Sequence, residues 1–224
     1  MEPRYLRNLG ALSEEECQKL REKSVFLAGC GGLGGHLLEY FLRLGVGSIT
    51  VCDGDTFDET NLNRQLLCTR ETIGLPKTQA ALQRAQAVNP HVTLRAIPTF
   101  LTGENADGLL AGHDLVLDAL DSIASRRLLA AACARLGIPM VHGAVQGWYA
   151  QIAVLPPGSP LLDEIYPPQQ TEAAENSCLS FTPALCAAIQ AAEGAKLLCG
   201  RQPALEDQLL FADLKTQNYT VFSL

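Results

Sequence analysis

Three glycines and an acid set the first chemical expectation. Gly29, Gly31 and Gly34 form a G-x-G-x-x-G run directly after the apolar stretch Val25-Phe26-Leu27-Ala28. The next apolar stretch, Ser48-Ile49-Thr50-Val51-Cys52, ends in Asp53. Glycines let a backbone turn tightly and approach a phosphate, which a helix N-terminus receives with free N–H groups and the positive end of its dipole. A carboxylate about 20 residues further on can accept ribose hydroxyls. The spacing therefore predicts nucleotide binding, with Gly29, Gly31, Gly32 and Gly34 around the phosphates and Asp53 on the ribose.

The residues beyond Asp53 narrow the chemistry. Asp55, then Asn61-Leu62-Asn63-Arg64-Gln65, then Pro76-Lys77, then Leu117-Asp118-Ala119-Leu120-Asp121-Ser122 each place polar groups just past an apolar run. In an open parallel sheet that is the carboxyl edge, where ligands sit. Hydride transfer has no need of an Arg, a Lys and a further Asp around phosphates, whereas an adenylating enzyme needs all three. Arg64 and Lys77 would neutralise the triphosphate and its pentavalent transition state, and a carboxylate can hold Mg²⁺ through oxygen. For Asp121 the residues alone leave two roles open, metal ligand or cap of the helix that follows.

These groups need a scaffold of alternating strands and helices. Ser13-Glu14-Glu15-Glu16 carries a helix-start signature, a hydroxyl followed three positions later by Glu. After the first strand–helix–strand unit the pattern predicts a helix over 75–88, a strand over 92–97 and a short helix over 104–110. A buried strand over 115–118 and an alanine-rich helix over 124–136 follow. Strands over 139–142 and 151–155 come next, the latter antiparallel, then a helix over 184–198. Alternation of this kind implies an α/β fold built on a doubly wound, mostly parallel sheet (Rossmann-like) with a C-terminal antiparallel extension. The expected organisation is one domain over 1–224: a helical arm to 23, a nucleotide-binding core over 24–155, a crossover loop over 156–181, and a final helix and strand pair over 182–224.

Composition excludes several classes. At 224 residues and 47% hydrophobic the chain can bury a sizeable core. No apolar run approaches the roughly 20 residues of a membrane span. No basic, leader-like stretch opens the sequence, so a cytoplasmic location is expected. A net charge of −7 argues against a nucleic-acid-binding surface. The eight cysteines include no C-x-x-C pair, so free thiols and no zinc site are expected. Five of the 12 prolines fall between 156 and 177, marking a long loop. Cys178 follows it just before an apolar helix, an environment that favours thiolate.

Taken in order, Arg4-Tyr5-Leu6-Arg7, the glycine loop, Asp53-Gly54-Asp55, Asn61 to Gln65, Gly74-Leu75-Pro76-Lys77 and Asp118-Ala119-Leu120-Asp121 resemble the MoeB/ThiF/HesA family, bacterial relatives of ubiquitin-activating enzymes. The tail, with Leu209 to Asp213 and Tyr219 to Phe222, resembles the family's closing strand pair. The family's zinc cysteine pairs are missing, which marks a short form. The resemblance implies ATP-dependent adenylation of the C-terminal Gly-Gly carboxylate of a small ubiquitin-like sulfur carrier, with pyrophosphate released. It implies nucleotide contacts from Asp53, Asp55, Asn61, Arg64, Gln65, Lys77, Asp121 and Ser122, with Mg²⁺ on Asp121. It also implies a homodimer in which Arg7 reaches a neighbour's γ-phosphate, and a Cys178 that accepts the acyl group unless a separate sulfurtransferase acts. Ser122 stands where relatives often carry Asn. Two alternatives share the fold, a tRNA-modifying cyclic threonylcarbamoyladenosine dehydratase and a non-catalytic activating-enzyme subunit. The retained phosphate ligands speak against the second, and the acidic balance against the first.

Overall fold

A computed structural model describes residues 2–167, 169–170 and 177–223. Strand β1 (Ser24–Ala28) leads into helix α2 (Gly32–Leu44), which follows the N-terminal helix α1 (Glu14–Arg21) in the chain. Then come β2 (Ser48–Cys52), α3 (Lys77–Val88), β3 (Thr93–Ile97), α4 (Ala106–Leu110), β4 (Leu115–Asp118) and α5 (Ile123–Leu136). The second half holds β5 (Met140–Gln146), β6 (Tyr149–Leu155), α6 (Leu161–Ile165), α7 (Phe181–Cys199), β7 (Leu209–Asp213) and β8 (Asn218–Phe222).

All eight strands join one sheet in the order β3-β2-β1-β4-β5-β6-β7-β8. Pairing is parallel from β3 to β5 and antiparallel from β5 to β8. This is the doubly wound α/β sheet with an antiparallel extension that the sequence pattern predicts. The pleat explains why β1 is apolar throughout: Val25 and Leu27 point into a core shared with α2, α3 and α7, while Phe26 and Ala28 point into one shared with α4, α5 and α6. Successive strands step outward from β1 to β2 and β3, then return to the other side of β1 with β4. That reversal opens a crevice at the carboxyl ends of β1 and β4.

The opposite, amino edge of the sheet is closed by polar clips. Tyr5 is buried, and its hydroxyl accepts a bond from Asn89 Nδ2 at 2.7 Å, which also donates to Leu42 O at 2.7 Å. Asp114 pairs with Lys23 Nζ at 2.8 Å and accepts from Ser24 N at 2.8 Å, locking the starts of β1 and β4 together. Ser13 and Glu16 form the reciprocal cap expected for α1.

The expected elements form, with differences at their ends. Strand β5 runs on to Gln146 rather than stopping at His142, because its full length pairs with β6. The long proline-rich loop contains the short helix α6, whose Leu161 and Leu162 are buried against the α5 side. Of the crossover expected over 156–181, residues 168 and 171–176 lie outside the described residues.

Candidate active site

The crevice is a cavity of about 280 Å³. Its floor is the glycine loop. Gly29 has φ +93°, and a Cβ there would lie 2.6 Å from Ala119 O of the neighbouring strand end. A Cβ on Gly34 would lie 2.1 Å from Gly29 O. Both positions therefore demand glycine, the first for turn and approach, the second so that α2 can sit directly on the loop. Gly29, Gly31 and Gly32 line the cavity; Gly34 packs behind it.

Asp53, at the tip of β2, accepts from Cys30 N at 2.6 Å and from Asp55 N at 2.8 Å. Burial pushes its carboxyl above the usual range, against the pull of those amides and of the Lys77 charge. Lys77 is buried as the first residue of α3, and its Nζ lies 3.0 Å from Asp55 Oδ2. The start of α3 thus brings an ammonium and the positive end of the helix dipole to the same wall.

Arg64 and Gln65 are presented by a capped turn. Asp58 accepts from Thr60 N at 2.7 Å while Asn61 Oδ1 accepts from Asp58 N at 3.2 Å, and Asn61 O receives the amides of Arg64 and Gln65. Asn61 is buried within this turn and does not line the cavity; it shapes the loop that holds its neighbours. Arg64 lines the cavity, steadied by bonds to Thr60 O and Asn63 Oδ1. Gln65 is buried and lines it too, and its Oε1 has no hydrogen-bond partner among the described residues. A buried acceptor facing a cavity fits a ligand that donates to it.

The far wall comes from β4 and α5. Ser122, not Asp121, caps α5: its Oγ accepts from Ser125 N at 3.2 Å. Asp121 is exposed in the cavity wall, whereas Ser122 is turned to its cap and does not line it. Asp118 is fully buried behind that wall, with Oδ2 2.6 Å from His142 Nδ1, and His142 Nε2 lies 3.2 Å from the Tyr166 hydroxyl. Burial lowers the His142 pKa against the pull of Asp118, consistent with a satisfied core histidine rather than a base. Thr99, Phe100, Ser125 and Arg126 also line the cavity and escaped the sequence reading. An Arg in the first turns of a helix leaving the carboxyl edge is the signal that could have found Arg126.

Cys178 lines the cavity as well. It forms a bridge with Gly147, and its carbonyl accepts from Asn63 Nδ2 at 3.1 Å. The expected thiolate-favouring environment is corrected here: burial pushes the Cys178 thiol up, and the nearby Arg64 charge only partly opposes this. All eight cysteines are free. Arg7 stands apart. It is exposed in a 3-10 turn over Pro3–Asn8 that Tyr5 anchors at the amino edge, so it does not join its own chain's cavity.

The chemistry available is that of a charged nucleotide site: amides, an ammonium, two guanidinium groups and carboxylates on one cavity. Among the described residues no three His, Cys, Asp or Glu side chains converge as a metal cage. Mg²⁺ suits such a wall, since it is held by one or two carboxylates together with phosphates and keeps several waters; Asp121 and Asp55 are the carboxylates in position. Among the described residues no helix is long and apolar enough to cross a membrane.

The ThiF family model matches residues 5–224. The sulfur carrier protein adenylyltransferase of Thermus thermophilus is 36% identical over 216 residues, covering 92% of this chain and 80% of that protein. The molybdopterin-synthase adenylyltransferase of Escherichia coli is 30% identical over 212 residues, covering 92% and 85%. The crystal structure of Escherichia coli MccB with ATP superposes with a TM-score of 0.86 at 19% identity over 99% of this chain and 71% of that one, a likeness of fold. The chain belongs to the ThiF family and is an ATP-using adenylyltransferase.

Proposed function

We propose that the protein adenylates the C-terminal Gly-Gly carboxylate of a ubiquitin-like sulfur carrier, with Mg²⁺ accompanying ATP. The observation that carries this is the meeting of the glycine loop, Arg64, Lys77 and Asp121 on one cavity, in a chain 36% identical to an enzyme named for a sulfur carrier. In the reaction a carboxylate oxygen bonds to the ATP α-phosphorus while the bond from that phosphorus to the bridging oxygen breaks. Pyrophosphate leaves with the electron pair. The carboxylate is already ionised at neutral pH, so no base is needed. Asp53 holds the ribose, the loop amides and Lys77 hold phosphate oxygens, and Arg64 meets the charge that builds on the leaving group. Asp121 would hold the Mg²⁺ that accompanies ATP, which would supply charge neutralisation. Asn61 and Ser122 act through the loops they fix.

Residues 1–224 form one adenylation unit in this reading, working in the cytoplasm as a homodimer. The anchorage of the Arg7 arm at the amino edge supports a role for Arg7 only in a neighbour's site. After adenylation the Cys178 thiol attacks the acyl carbon, AMP leaves and the thiol proton goes to solvent; a sulfurtransferase acting on the adenylate is the competing consumer. ATP–pyrophosphate exchange tests the reading. Exchange that depends on Escherichia coli ThiS or on the Thermus thermophilus sulfur carrier is expected, and exchange that ignores every Gly-Gly carrier would remove it.

A further inference from the structure

Arg126 is buried on the cavity wall, 7% exposed, and the scheme above gives it no task. Its Nη2 donates to Leu120 O at 2.7 Å. Its Nε lies 3.7 Å from Asp118 Oδ2, too far for a hydrogen bond, and has no hydrogen-bond partner among the described residues. Asp118 is already engaged: Oδ1 accepts from Leu120 N at 3.0 Å and Oδ2 faces His142 Nδ1 at 2.6 Å. The guanidinium carbon sits 5.7 Å from the centre of the Tyr166 ring, whose hydroxyl is in turn held by His142. Arg126 is therefore fixed by its surroundings while part of its five-donor fork is unspent. With Asp118 as its nearest anion at 3.7 Å and donors unspent, the guanidinium can give a charge-assisted hydrogen bond to one oxygen of a further anion.

The wall decides which anion. Asp53, Asp55 and Lys77 belong to the β2 and α3 side, where the proposed scheme holds the ribose and the phosphate oxygens bound by Lys77. Arg126 belongs to α5, which follows β4 on the other side of β1 from them, and shares the wall with Asp121, where Mg²⁺ would meet the phosphates and where the attacking carboxylate must arrive. Resting on the adenylation reading, we infer that Arg126 is the receptor for the terminal carboxylate of the acyl substrate, with Asp118, His142 and Tyr166 as its positioning residues. Arg126 holds one carboxylate oxygen and leaves the other to attack phosphorus. The side chain thus recognises the acid before reaction, and releases it as the charge passes into the acyl phosphate.

The test uses Escherichia coli ThiS and the Thermus thermophilus sulfur carrier, each prepared with its natural terminal carboxylate and with a terminal carboxamide. Binding is measured by calorimetry without ATP, for wild type, Arg126→Gln and Arg126→Lys. Wild type should prefer the carboxylate by about 10- to 100-fold, the scale of a charge-assisted bond. Arg126→Gln should erase the preference and Arg126→Lys keep part of it, while ATP affinity stays within about threefold. Arg126→Lys retains the charge beside Asp118 and keeps the test decisive if Arg126→Gln fails to fold. A preference that survives both variants overturns the assignment, as does an ATP affinity that falls in step with carrier affinity. Carrier-dependent exchange without any carboxylate preference overturns the Arg126 role alone. A carboxylate preference without exchange overturns the adenylation reading and leaves the receptor standing, and wild type that binds neither form removes both.

Discussion

Replacing Lys77 by Met should separate catalysis from stability cleanly. The Nζ–Oδ2 separation from Asp55 is 3.0 Å, which at an effective dielectric of about 20 corresponds to an attraction of about 5 kcal/mol, and in bulk water to little more than 1. The two ends of the pair differ. The Lys77 side chain is 8% exposed and that of Asp55 52%, so Asp55 already has water and loses little when its partner goes. Desolvation of the ammonium offsets most of the remainder, and partly exposed pairs contribute about 0–1 kcal/mol net. Met keeps the buried aliphatic stem. The melting temperature should therefore fall by less than about 4 °C, since 1 kcal/mol moves a chain of this length by about 2–4 °C. The loss on the reaction is larger, because a preorganised donor facing developing charge is worth about 2.7–4 kcal/mol, a factor of about 10²–10³. Carrier-dependent pyrophosphate exchange reads the second quantity and a thermal melt the first. Exchange within tenfold of wild type would strike Lys77 from the site. A melt that falls by 10 °C or more would recast it as a structural residue.

Three further outcomes follow from the same geometry. Gly34→Ala must displace either α2 or Gly29, so it should destabilise by about 1–3 kcal/mol and weaken ATP binding, both measured by calorimetry; unchanged ATP affinity would mean that the loop is not the phosphate floor. Mixing Arg7→Ala with Asp121→Ala chains should restore part of the exchange activity that each lacks alone, since one composite site keeps both groups, and a fully active monomer by light scattering would refute the shared site. Because burial raises the Cys178 thiol above its ordinary value, alkylation at neutral pH should be slower than for a free thiol and should climb beyond the usual thiol range. Fast labelling at pH 7 would show that the thiol is more exposed than it stands here. Loss of a thiol-labile carrier adduct in Cys178→Ser would identify it as the acceptor.

The sequence makes the scaffold readable because local and global preferences agree there. Val25 to Ala28 is apolar at every position since both faces of β1 are covered, and Gly29 and Gly34 are glycines for reasons of space that the motif encodes. Roles that depend on which side chain wins a local competition were not readable. Asp121 and Ser122 both suit a helix cap, and the hydroxyl takes it, which leaves the carboxylate in the cavity wall. Asn61 sits within the most family-like stretch yet spends its amide inside the turn. Helix α6 hides in a proline-rich run because five residues are too few to show a period. Arg126 and Tyr166 gain their meaning only from Asp118 and His142, which the chain brings to them from other strands.

The two clips at the amino edge, Tyr5 with Asn89 and Lys23 with Asp114, share no partner with any group of the cavity at the other end of the strands. Perturbations that share no contacts combine nearly independently. The molecule is thus divided into a hem that can be loosened or tightened and a mouth that can be retuned, with the rigid strands as the spacer between them. Heat tolerance and substrate choice can accordingly drift on separate schedules, by natural change or by design. A lineage that moves to a hotter habitat can restitch the hem while the mouth keeps its partner.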